Sequence, residues 1–446
     1  MSEERIRRPW AHSDRPLPRT VLRPLQEFMR SSEAGAAVLL VAVVVALVWA
    51  NSAWSDAYHR LFETELGVSL GTWSLSLDLG HWVNDGLMTL FFLVVGLEIK
   101  REVTTGELRE WRAAALPAVA ALGGMIVPAL LYTAINLGGD GARGWGVPMA
   151  TDIAFALGVL TLAARWAPPS LKPLLLTLAI VDDIGAILVI ALFYADGVVM
   201  EPVLAALAIV ALIVAAQRIH IRAVPVYLVL GGLVWYEVLR SGVHPTIVGV
   251  ALGLLTPAVA FQRPRAVSEE AHRTADETVD DPRPPDADAH WWLRLAGLSR
   301  EAVSPLARVE HVLLPWVNFA ILPLFALANT GVTFTSSALT ADLRVSLGIV
   351  VGLVIGKPIG IAAASWLAVR TGLGVLPENV RWGDLVGMAS VAGIGFTMSL
   401  FIADLAFSQA GILDAAKIGI LGASLVAGAA GFLLLRSAAG RTTQAV

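Results

Sequence analysis

The sequence contains no cysteine among its 446 residues. Disulfide bonds, thiolate metal sites and cysteine nucleophiles are therefore excluded. Charge is also scarce, since Asp, Glu, Lys and Arg together make up 15% of the chain, whereas a typical soluble domain has about 25%. Hydrophobic residues account for 56% and the mean hydropathy is +0.70, so the composition is that of a protein that crosses the membrane many times.

What the chain does carry is a series of about twelve apolar runs, each long enough for the roughly 20 residues that cross a hydrocarbon core. These runs are continuous in Leu, Val, Ile, Ala and Gly, which favours helices over the alternating strands of a transmembrane barrel. We therefore predict an all-α polytopic membrane protein. Its membrane helices are predicted near residues 34–51, 82–103, 114–136, 144–163, 172–194, 201–217, 223–239, 244–260, 309–330, 345–369, 384–407 and 413–436.

The distribution of basic residues predicts how these helices are oriented. If the N-terminus is cytoplasmic, most of the 32 Lys and Arg fall on cytoplasmic segments, so the positive-inside rule predicts that both termini are cytoplasmic. The first apolar run follows a long, arginine-rich polar stretch, which is the wrong spacing for a cleaved signal peptide. The predicted segments are a cytoplasmic tail at 1–33, membrane helices at 34–261, a cytoplasmic acidic and proline-rich linker at 262–308, membrane helices at 309–436 and a cytoplasmic tail at 437–446.

Two segments outside the membrane have patterns of their own. The stretch LGVSLGTWSLSLDLGHW (66–82) alternates apolar and polar residues around Gly71, which predicts a β-hairpin near 66–80 on the outer face. An isolated hairpin is marginally stable in water, so we expect it to pair with another chain; a solvated loop is the alternative. Within 262–308, EEAHRTADETVDDPRPPDADAH predicts disorder, and the following HWWLRLAGLSREAV is typical of an interfacial amphipathic helix.

Few ionisable residues remain deep within the predicted helices: Asp152, Asp182, Asp183 and Lys357. Each charge at a helix centre costs about 2.5–3.5 kcal/mol on the insertion scale, whereas each Leu or Val returns only about 0.3–0.6 kcal/mol. These side chains must therefore face a protein or water-lined interior. One lysine cannot neutralise three aspartates, so one or two of the carboxylates should carry a proton or hold a cation.

The adjacent pair in LAIVDDIGAILVIALFY (178–194) cannot make identical contacts, because neighbouring residues on a helix point about 100° apart. One aspartate can face an ion pathway while the other turns to a partner such as Lys357. Such a pair can exchange protons for a metal ion. The alternative is an ion pair with Lys357 that only fixes helix packing, but packing alone does not require the other carboxylates.

Two apolar runs are interrupted near their middle. GVPMATDIAFALGVL (146–160) contains Pro148, Thr151 and Asp152, and MASVAGIGFTMSLF (388–401) contains two glycines and a threonine. Interrupted segments at corresponding positions of two halves indicate an inverted-repeat transporter with crossed, broken helices. Since half-helix ends carry partial charges, Asp152 is suited to meet N-terminal ends and Lys357 to meet C-terminal ends. The glycines could instead only permit close helix packing.

A third, mixed-charge group occurs in GLEIKREVTTGELREWR (96–112) and ARVEHVLLPW (307–316). Its charged members could simply anchor helix ends at the water boundary. Together with a histidine that titrates near neutrality, they could also sense pH.

At FFLVVGLEIKRE, ATDIAFALGVL, LAIVDDIGAILVIALFY, SGVHPTIVGV, IGKPIGI and GIGFTMSLFIA the sequence closely resembles the bacterial NhaA-type sodium/proton antiporters. The resemblance runs from about Ala34 to the last predicted helix, broken only by the acidic linker. It implies a twelve-helix fold in which the third to fifth and tenth to twelfth helices form inverted-topology repeats, each with one discontinuous helix. The outer hairpin resembles the dimerisation element of that family.

The resemblance also implies roles for individual residues. Asp183 matches the residue that holds the cation, and Asp182 matches the one that takes part in proton exchange and gating, so both are expected to contact Na⁺. Thr151 matches a further contributor to the ion site. Asp152 and Lys357 match the residues that balance the half-helix charges, and Lys357 is expected to pair with Asp182. The positions that match residues linked to pH response are Glu98, Arg101, Glu102, His244, Arg308 and Glu310.

Three departures from the family pattern stand out. Residues 262–300 have no counterpart in shorter members. Ala307 and Leu314 stand where the pattern can carry Lys and His, which bears on the pH setting. Asp404 adds a carboxylate where a small polar residue is more usual, and we do not place it in the ion site.

The resulting prediction is a secondary active transporter, not an enzyme, in the bacterial inner membrane. It exchanges Na⁺ or Li⁺ for H⁺ by alternating access and uses no cofactor; its partners are these ions, the lipid bilayer and a second copy, with no nucleic acid. An intramembrane aspartyl protease is disfavoured because the chain lacks the Gly-x-Gly-Asp and Tyr-Asp segments. A passive channel would line its pore with symmetric rings, and an antiporter for another ion or an organic substrate is the remaining alternative.

Overall fold

The computed structural model describes residues 32–70, 73–195, 197–279, 289–333 and 342–440. In the first half of the chain the elements are α1 (Ser32–Ala50), α2 (Ser55–Phe62), β1 (Glu65–Leu70), β2 (Trp73–Asp78), α3 (Leu79–Thr104), a 3₁₀ turn (Glu107–Arg109), α4 (Trp111–Ile135), a 3₁₀ helix (Asp140–Met149), α5 (Ile153–Leu162) and α6 (Leu171–Phe193). In the second half they are α7 (Met200–Arg218), α8 (Val224–Arg240), α9 (Thr246–Leu255), α10 (Pro264–Val279), α11 (Ala289–Glu301), α12 (Pro305–Asn329), α13 (Leu343–Arg370), α14 (Trp382–Val391), α15 (Phe396–Ala406) and α16 (Ala410–Gly440).

Most of these helices are suited to a bilayer. Among the described residues, 7 helices are long and apolar enough to cross a membrane, and the number rises to 10 if each of three bent helix pairs is one span. α8 and α9 are shorter, with 17 and 10 residues. Each predicted membrane segment coincides with one of these helices or pairs, so the prediction of an all-helical polytopic protein is confirmed.

Two of the bent pairs are the breaks that the sequence predicted. The 3₁₀ helix Asp140–Met149 meets α5 at 47°, and α14 meets α15 at 49°. The third pair, α1 and α2, turns by 117° and was not predicted, because α2 is too short and polar to extend the first apolar run. The order of long helix, broken helix and long helix occurs twice, in α4 to α6 and in α13 to α16.

The described residues form two compact units. The first unit comprises the described parts of Met1–Leu87, Trp111–Tyr194 and Asn318–Val446, and the second those of Met88–Glu110 and Ala195–Val317. α3 and α12 each contribute to both units. Both broken helices and the long helices of each repeat belong to the first unit.

A close contact between two helices of the first unit positions the buried lysine. A Cβ atom at Gly123 of α4 would lie only 2.3 Å from Gly360 O of α13, so the two backbones are in direct contact. Small residues permit this approach in membrane proteins. Beside it, a Cβ at Gly124 would lie 3.9 Å from Cγ of Lys357. The paired glycines of α4 therefore let α13, the helix that carries Lys357, approach closely, and the lysine side chain is 0% exposed.

The predicted hairpin is present. β1 and β2 form an antiparallel two-stranded sheet in which Glu65 pairs with Asp78 and Leu70 with Trp73. Residues 71 and 72, which follow β1 and precede β2 in the sequence, lie outside the described residues. The alternation of apolar and polar residues thus predicted the hairpin correctly; its pairing with a second copy stays a prediction.

The acidic insertion differs from our expectation. We predicted disorder over EEAHRTADETVDDPRPPDADAH, but α10 covers its first part; residues 280–288, which hold its proline-rich centre, lie outside the described residues. The helix predicted over HWWLRLAGLSREAV is present as α11, and its position at the membrane surface stays a prediction. α10 is rich in Ala, Glu and Arg, which have high helix propensity, and Arg265 and Glu269 form an i, i+4 ion pair at 3.3 Å. Arg294 of α11 lies 3.6 Å from Glu270 of α10, so the two helices also hold each other.

The two ends of this insertion are joined at its base. Gln262 N–H donates to Glu301 O at 3.1 Å, and the Glu301 carboxylate accepts hydrogen bonds from Arg222 and from the Gln262 amide. The hydrogen bond from Arg222 lowers the pKa of Glu301 below its ordinary value. The stabilising contact is therefore present at neutral pH and is lost only as the pH falls through that lowered pKa.

Candidate ion-binding site

One buried carboxylate lies between the beginnings of two half-helices. Asp152 is the N-cap of α5, and its Oδ1 accepts the Phe155 N–H at 3.0 Å. Its Oδ2 accepts the N–H of Thr397 at 3.0 Å and the hydroxyl of Thr397 at 2.6 Å, both from the first turn of α15. Because helix N-termini are partially positive, this carboxyl group lies where two helix ends would favour a negative charge.

The backbones of the two breaks also bind each other. Asp152 N–H donates to Ile394 O at 2.7 Å, and the Ser399 hydroxyl donates to Val147 O at 2.7 Å. Peptide groups that the breaks release from helical hydrogen bonding are thus satisfied by the opposite break, as a membrane interior requires. The two broken helices therefore meet at their interruptions.

The C-terminal ends of the other two half-helices face different donors. The Lys357 ammonium donates to the carbonyl of Met149, the last residue of the 3₁₀ helix. The Thr151 hydroxyl lies 3.0 Å from the carbonyl of Ala392, the C-cap of α14. Lys357 thus contacts a half-helix C-terminus at the first break, as predicted. At the second break the C-terminal carbonyl is contacted by the Thr151 hydroxyl instead.

The same two donors converge on Asp182 of α6. Asp182 Oδ2 lies 2.7 Å from Lys357 Nζ and 2.7 Å from Thr151 Oγ1. A hydroxyl carries one proton, so Thr151 can donate either to Asp182 or to Ala392, but not to both at once. Asp182 Oδ1 is buried and accepts no hydrogen bond from the described residues. One oxygen of this carboxylate is therefore engaged by protein donors and the other is available.

Asp183 follows on the same helix. Asp182 and Asp183 are 1% and 2% exposed, and Thr151 is 0% exposed. Two carboxylates and a hydroxyl offer the hard oxygen atoms that small alkali and alkaline-earth cations prefer. Within the described part of the chain there is no group of three or more His, Asp or Glu side chains that could hold a metal ion. The site therefore offers only a few oxygen ligands, and one of them belongs to the Asp182–Lys357 ion pair.

The structure brings together five of the residues that the sequence singled out: Thr151, Asp152, Asp182, Asp183 and Lys357. It also adds Thr397, which sequence reasoning noticed in the second break but did not place in the site. The feature of the sequence that could have identified Thr397 is its position directly after the break. A threonine in the first turn of a half-helix can present both its N–H and its hydroxyl to a carboxylate. The individual roles stay predictions.

The residues predicted to respond to pH lie in the second unit and only partly cluster. Arg101 forms an ion pair with Glu310 and lies 3.6 Å from Glu98, whereas Glu102 accepts the Glu107 N–H at 3.0 Å. A cavity of about 440 Å³ adjoins this group. It is lined by Arg101, Thr104, Thr105, Ala258, Ser304, Leu306, Ala307, Glu310, His311 and Leu314.

His244 is separate from that cluster. It lies in the loop between α8 and α9, next to Pro245, whose carbonyl accepts from the Thr89 hydroxyl. Arg101 is twelve residues further along the same helix as Thr89, or roughly 18 Å at 1.5 Å per residue. His244 is partly buried at this position. Its assignment to pH response stays a prediction.

Removing the acceptor shared by the two half-helices should destabilise the protein. In Asp152→Ala the Phe155 N–H and both donors of Thr397 lose their partner. Losing an N-cap costs about 0.5–2 kcal/mol, and a buried unsatisfied donor costs about 1–3 kcal/mol. We expect a lower thermal midpoint in detergent, measured by intrinsic fluorescence. Asp152→Asn keeps one acceptor oxygen and should lose less; equal losses in both variants would contradict the capping explanation.

A buried acidic site at the meeting point of two broken helices is the arrangement of secondary transporters built from structural repeats. Comparison with known proteins identifies the group. The family model described as "Na+/H+ antiporter 1" matches residues 26–435. The chain belongs to this family, and it is accordingly a multi-pass membrane transporter and not an enzyme.

Two relatives of about 45% sequence identity agree with this assignment. The Na(+)/H(+) antiporter NhaA of Janthinobacterium sp. (strain Marseille) is 45% identical over 417 residues, which cover 91% of this chain and 91% of that protein. The Na(+)/H(+) antiporter NhaA 2 of Myxococcus xanthus (strain DK1622) is 46% identical over 426 residues, covering 94% and 90%. Among solved structures, the sodium proton antiporter MjNhaP1 from Methanocaldococcus jannaschii aligns with a TM-score of 0.47 and 11% identity, over 94% of this chain and 99% of that chain.

Proposed function

We propose that this protein exports Na⁺, or Li⁺, in exchange for H⁺, and that Asp182 and Asp183 are the exchange site. The observation that carries the proposal is the position of Asp182, with one oxygen bound by Lys357 and Thr151 and the other available. If these residues served only helix packing, a buried carboxylate oxygen without a donor, next to a second carboxylate, would not be needed. Membership of the Na+/H+ antiporter 1 family supports the choice of ions.

In the proposed mechanism, protons and the cation compete for the two carboxylates. Asp183 holds the cation when it has lost its proton, and Asp182 alternates between a protonated state and its ion pair with Lys357. Replacing the cation by a proton at Asp183 leaves the buried net charge unchanged. Protonation of Asp182 adds one positive charge, because the Lys357 ammonium then keeps only its contact with the Met149 carbonyl, and an uncompensated buried charge costs about 2.5–3.5 kcal/mol. If two protons replace one cation, each cycle moves one net charge, worth about 2.3 kcal/mol per 100 mV. Transport is then electrogenic, and an inward proton gradient drives export.

Thr151 couples this chemistry to the broken helices. When Asp182 is ionised, the Thr151 hydroxyl donates to its Oδ2; when Asp182 is protonated, the hydroxyl is released to donate to Ala392 O at the end of α14. A change of protonation therefore alters a hydrogen bond that ties one break to the other. Alternating access would follow from movement of the half-helices about this junction.

The proposal includes the surroundings of the site. The protein lies in the bacterial inner membrane with both termini cytoplasmic and the hairpin outside, and the hairpin pairs with that of a second copy in a homodimer. Glu98, Arg101, Glu102, Glu310 and His244 adjust activity to pH. The ion pair of Arg101 with Glu310 beside a cavity at one end of α3 supports this role for part of the set.

The decisive experiment uses purified protein in proteoliposomes with a pH-sensitive dye inside. Addition of Na⁺, Li⁺ or K⁺ across a pH series should dequench the dye with Na⁺ and Li⁺ and leave it unchanged with K⁺. Imposing a membrane potential should change the rate if the exchange is electrogenic. Cation flux without proton movement would contradict antiport and would indicate a channel.

A further inference from the structure

A second polar cluster lies at the other end of the half-helix α15. Asn84 of α3 donates from Nδ2 to Asp404 Oδ2 at 2.9 Å. The amides of Asn84 and Asn329 bind each other, with Asn329 Nδ2 to Asn84 Oδ1 at 2.7 Å and the reverse contact at 3.3 Å. Asn329 also donates to Phe325 O at 3.0 Å. One carboxylate and two amides, all within the first unit, thus join α3, α12 and α15.

The position of Asp404 is unfavourable for local stability. It lies in the last turn of α15, where the C-terminal end of the helix dipole disfavours negative charge. The charges that act on it come from Lys417 of α16, from His81 and Asp78, and from Asp85 on α3. Only part of this surrounding charge is positive. A carboxylate is therefore retained at a place where the helix itself would favour a neutral residue.

The hydrogen-bond donor is also in irregular structure. Asn84 lies in the π-helical segment Trp82–Leu87 that interrupts α3. Such segments are rare and occur frequently at functional sites. Asn84 and Asp404 belong to α3 and α15, whereas the aspartate pair belongs to α6, and the ion site as described does not account for this arrangement.

The connection between the two clusters is the half-helix itself. α15 has 11 residues, and Thr397 near its beginning is bound to Asp152 while Asp404 near its end is bound to Asn84. The two contacts are roughly 10 Å apart along the helix axis at 1.5 Å per residue. A short helix that is held at both ends has a fixed direction, and the direction decides how Thr397 meets Asp152.

We propose that Asp404 is a positioning residue for the ion site: by accepting the Asn84 amide, it fixes the orientation of α15 in which Thr397 binds Asp152. The expected effect of Asp404 on transport rests on the proposed antiport function, whereas its effect on the orientation of α15 does not. The cation contacts neither Asp404 nor Asn84. Release of this contact loosens the junction of the two breaks and weakens cation binding without removing a ligand.

The transport test compares three single variants in proteoliposomes. Asp404→Ala removes the acceptor and should raise the apparent KM for Na⁺ at least threefold while the maximal rate stays within twofold of the unmodified protein. Asp404→Asn keeps an oxygen that can accept the Asn84 amide and should restore a near-normal KM. The matched control is Asp414→Ala, which removes another carboxylate near Lys417 that is not hydrogen-bonded to Asn84; it should leave KM unchanged.

Two results of this comparison would overturn the proposal. If Asp404→Asn raises KM as much as Asp404→Ala, the charge of Asp404 attracts the cation and the hydrogen bond is irrelevant. If neither variant changes KM, α15 does not need this contact. Should Asp404→Ala fail to fold, Asn84→Ala removes the same hydrogen bond and takes its place in both tests.

A second measurement does not depend on transport. Thermal midpoints in detergent are compared for Asp404→Ala, Thr397→Val and the double variant. Positioning through α15 predicts that the double variant loses clearly less than the sum of the single losses, because either change already frees the helix; sites about 10 Å apart are otherwise close to additive. Additive losses would refute the positioning role. If the unmodified protein exchanged no ions, the antiport proposal would fail while this cycle still decided the role of Asp404.

Discussion

Asp183→Asn is expected to abolish Na⁺-dependent proton movement in proteoliposomes. The amide is nearly the same size as the carboxylate but cannot ionise, so the site loses a negative oxygen ligand and an exchangeable proton together. Binding should be lost with transport, because the remaining Thr151 hydroxyl and Asp182, already bound to Lys357, offer too little charge to replace the water around the cation. Dye dequenching measures transport, and calorimetry with Li⁺ in detergent measures binding.

Asp414→Asn is the matched control for that variant. Asp414 is a partly buried carboxylate of α16 that lies outside the exchange site, and its replacement should leave both measurements close to normal. Full Na⁺-dependent activity in Asp183→Asn would remove Asp183 from the proposed mechanism. Binding that survives while transport is lost would assign Asp183 to proton exchange and leave the cation to Asp182.

Lys357→Met is expected to destabilise the protein strongly. Lys357 is 0% exposed, and its ammonium binds both Asp182 and the Met149 carbonyl. Breaking a buried ion pair by removing one partner costs about 3–5 kcal/mol, because the other charge is left uncompensated. The thermal midpoint in detergent should fall, and the pH dependence of exchange should shift, since Asp182 would then have to take up a proton to remain buried.

The double variant Asp182→Asn with Lys357→Met tests the cause of this loss. It removes both charges, and exchange of a buried ion pair for neutral groups is often tolerated. We expect it to recover much of the stability lost in Lys357→Met while remaining inactive in exchange. If the double variant were less stable than Lys357→Met, the contact of Lys357 with the Met149 carbonyl, rather than its pairing with Asp182, would be the main contribution.

The sequence predicted the membrane helices well because the bilayer imposes one simple rule. Every backbone group must be hydrogen-bonded internally, so a long apolar run has to be a helix. The same rule identified the first break, because Pro148, Thr151 and Asp152 interrupt an apolar run that would otherwise be a continuous helix. The first part of the insertion was predicted wrongly because the acidic, proline-containing composition was assessed over the whole segment. Apart from Pro264, the first residue of α10, the prolines of the insertion lie outside the Ala-, Glu- and Arg-rich stretch that forms this helix.

The candidate site was found from residue type more than from geometry. Each of Asp152, Asp182, Asp183 and Lys357 stands out because a charge is costly in an apolar run. Thr397, Asn84 and Asn329 carry no charge. From the sequence they cannot be distinguished from polar residues whose side chains hydrogen-bond only to the backbone of their own helix. Their importance appears only when a carboxylate from another helix lies opposite.

By itself, therefore, the sequence determined the membrane class, the helices and their two central interruptions, and the set of buried charges, because all of these follow from local hydropathy and the cost of burying charge. The tertiary structure decided the partners. Asp182 binds Lys357, which is 175 positions away, and Asp152 binds Thr397, which is 245 positions away. Such pairings depend on which helices can approach, as α4 and α13 do at Gly123 and Gly360, and that approach is a property of packing in three dimensions.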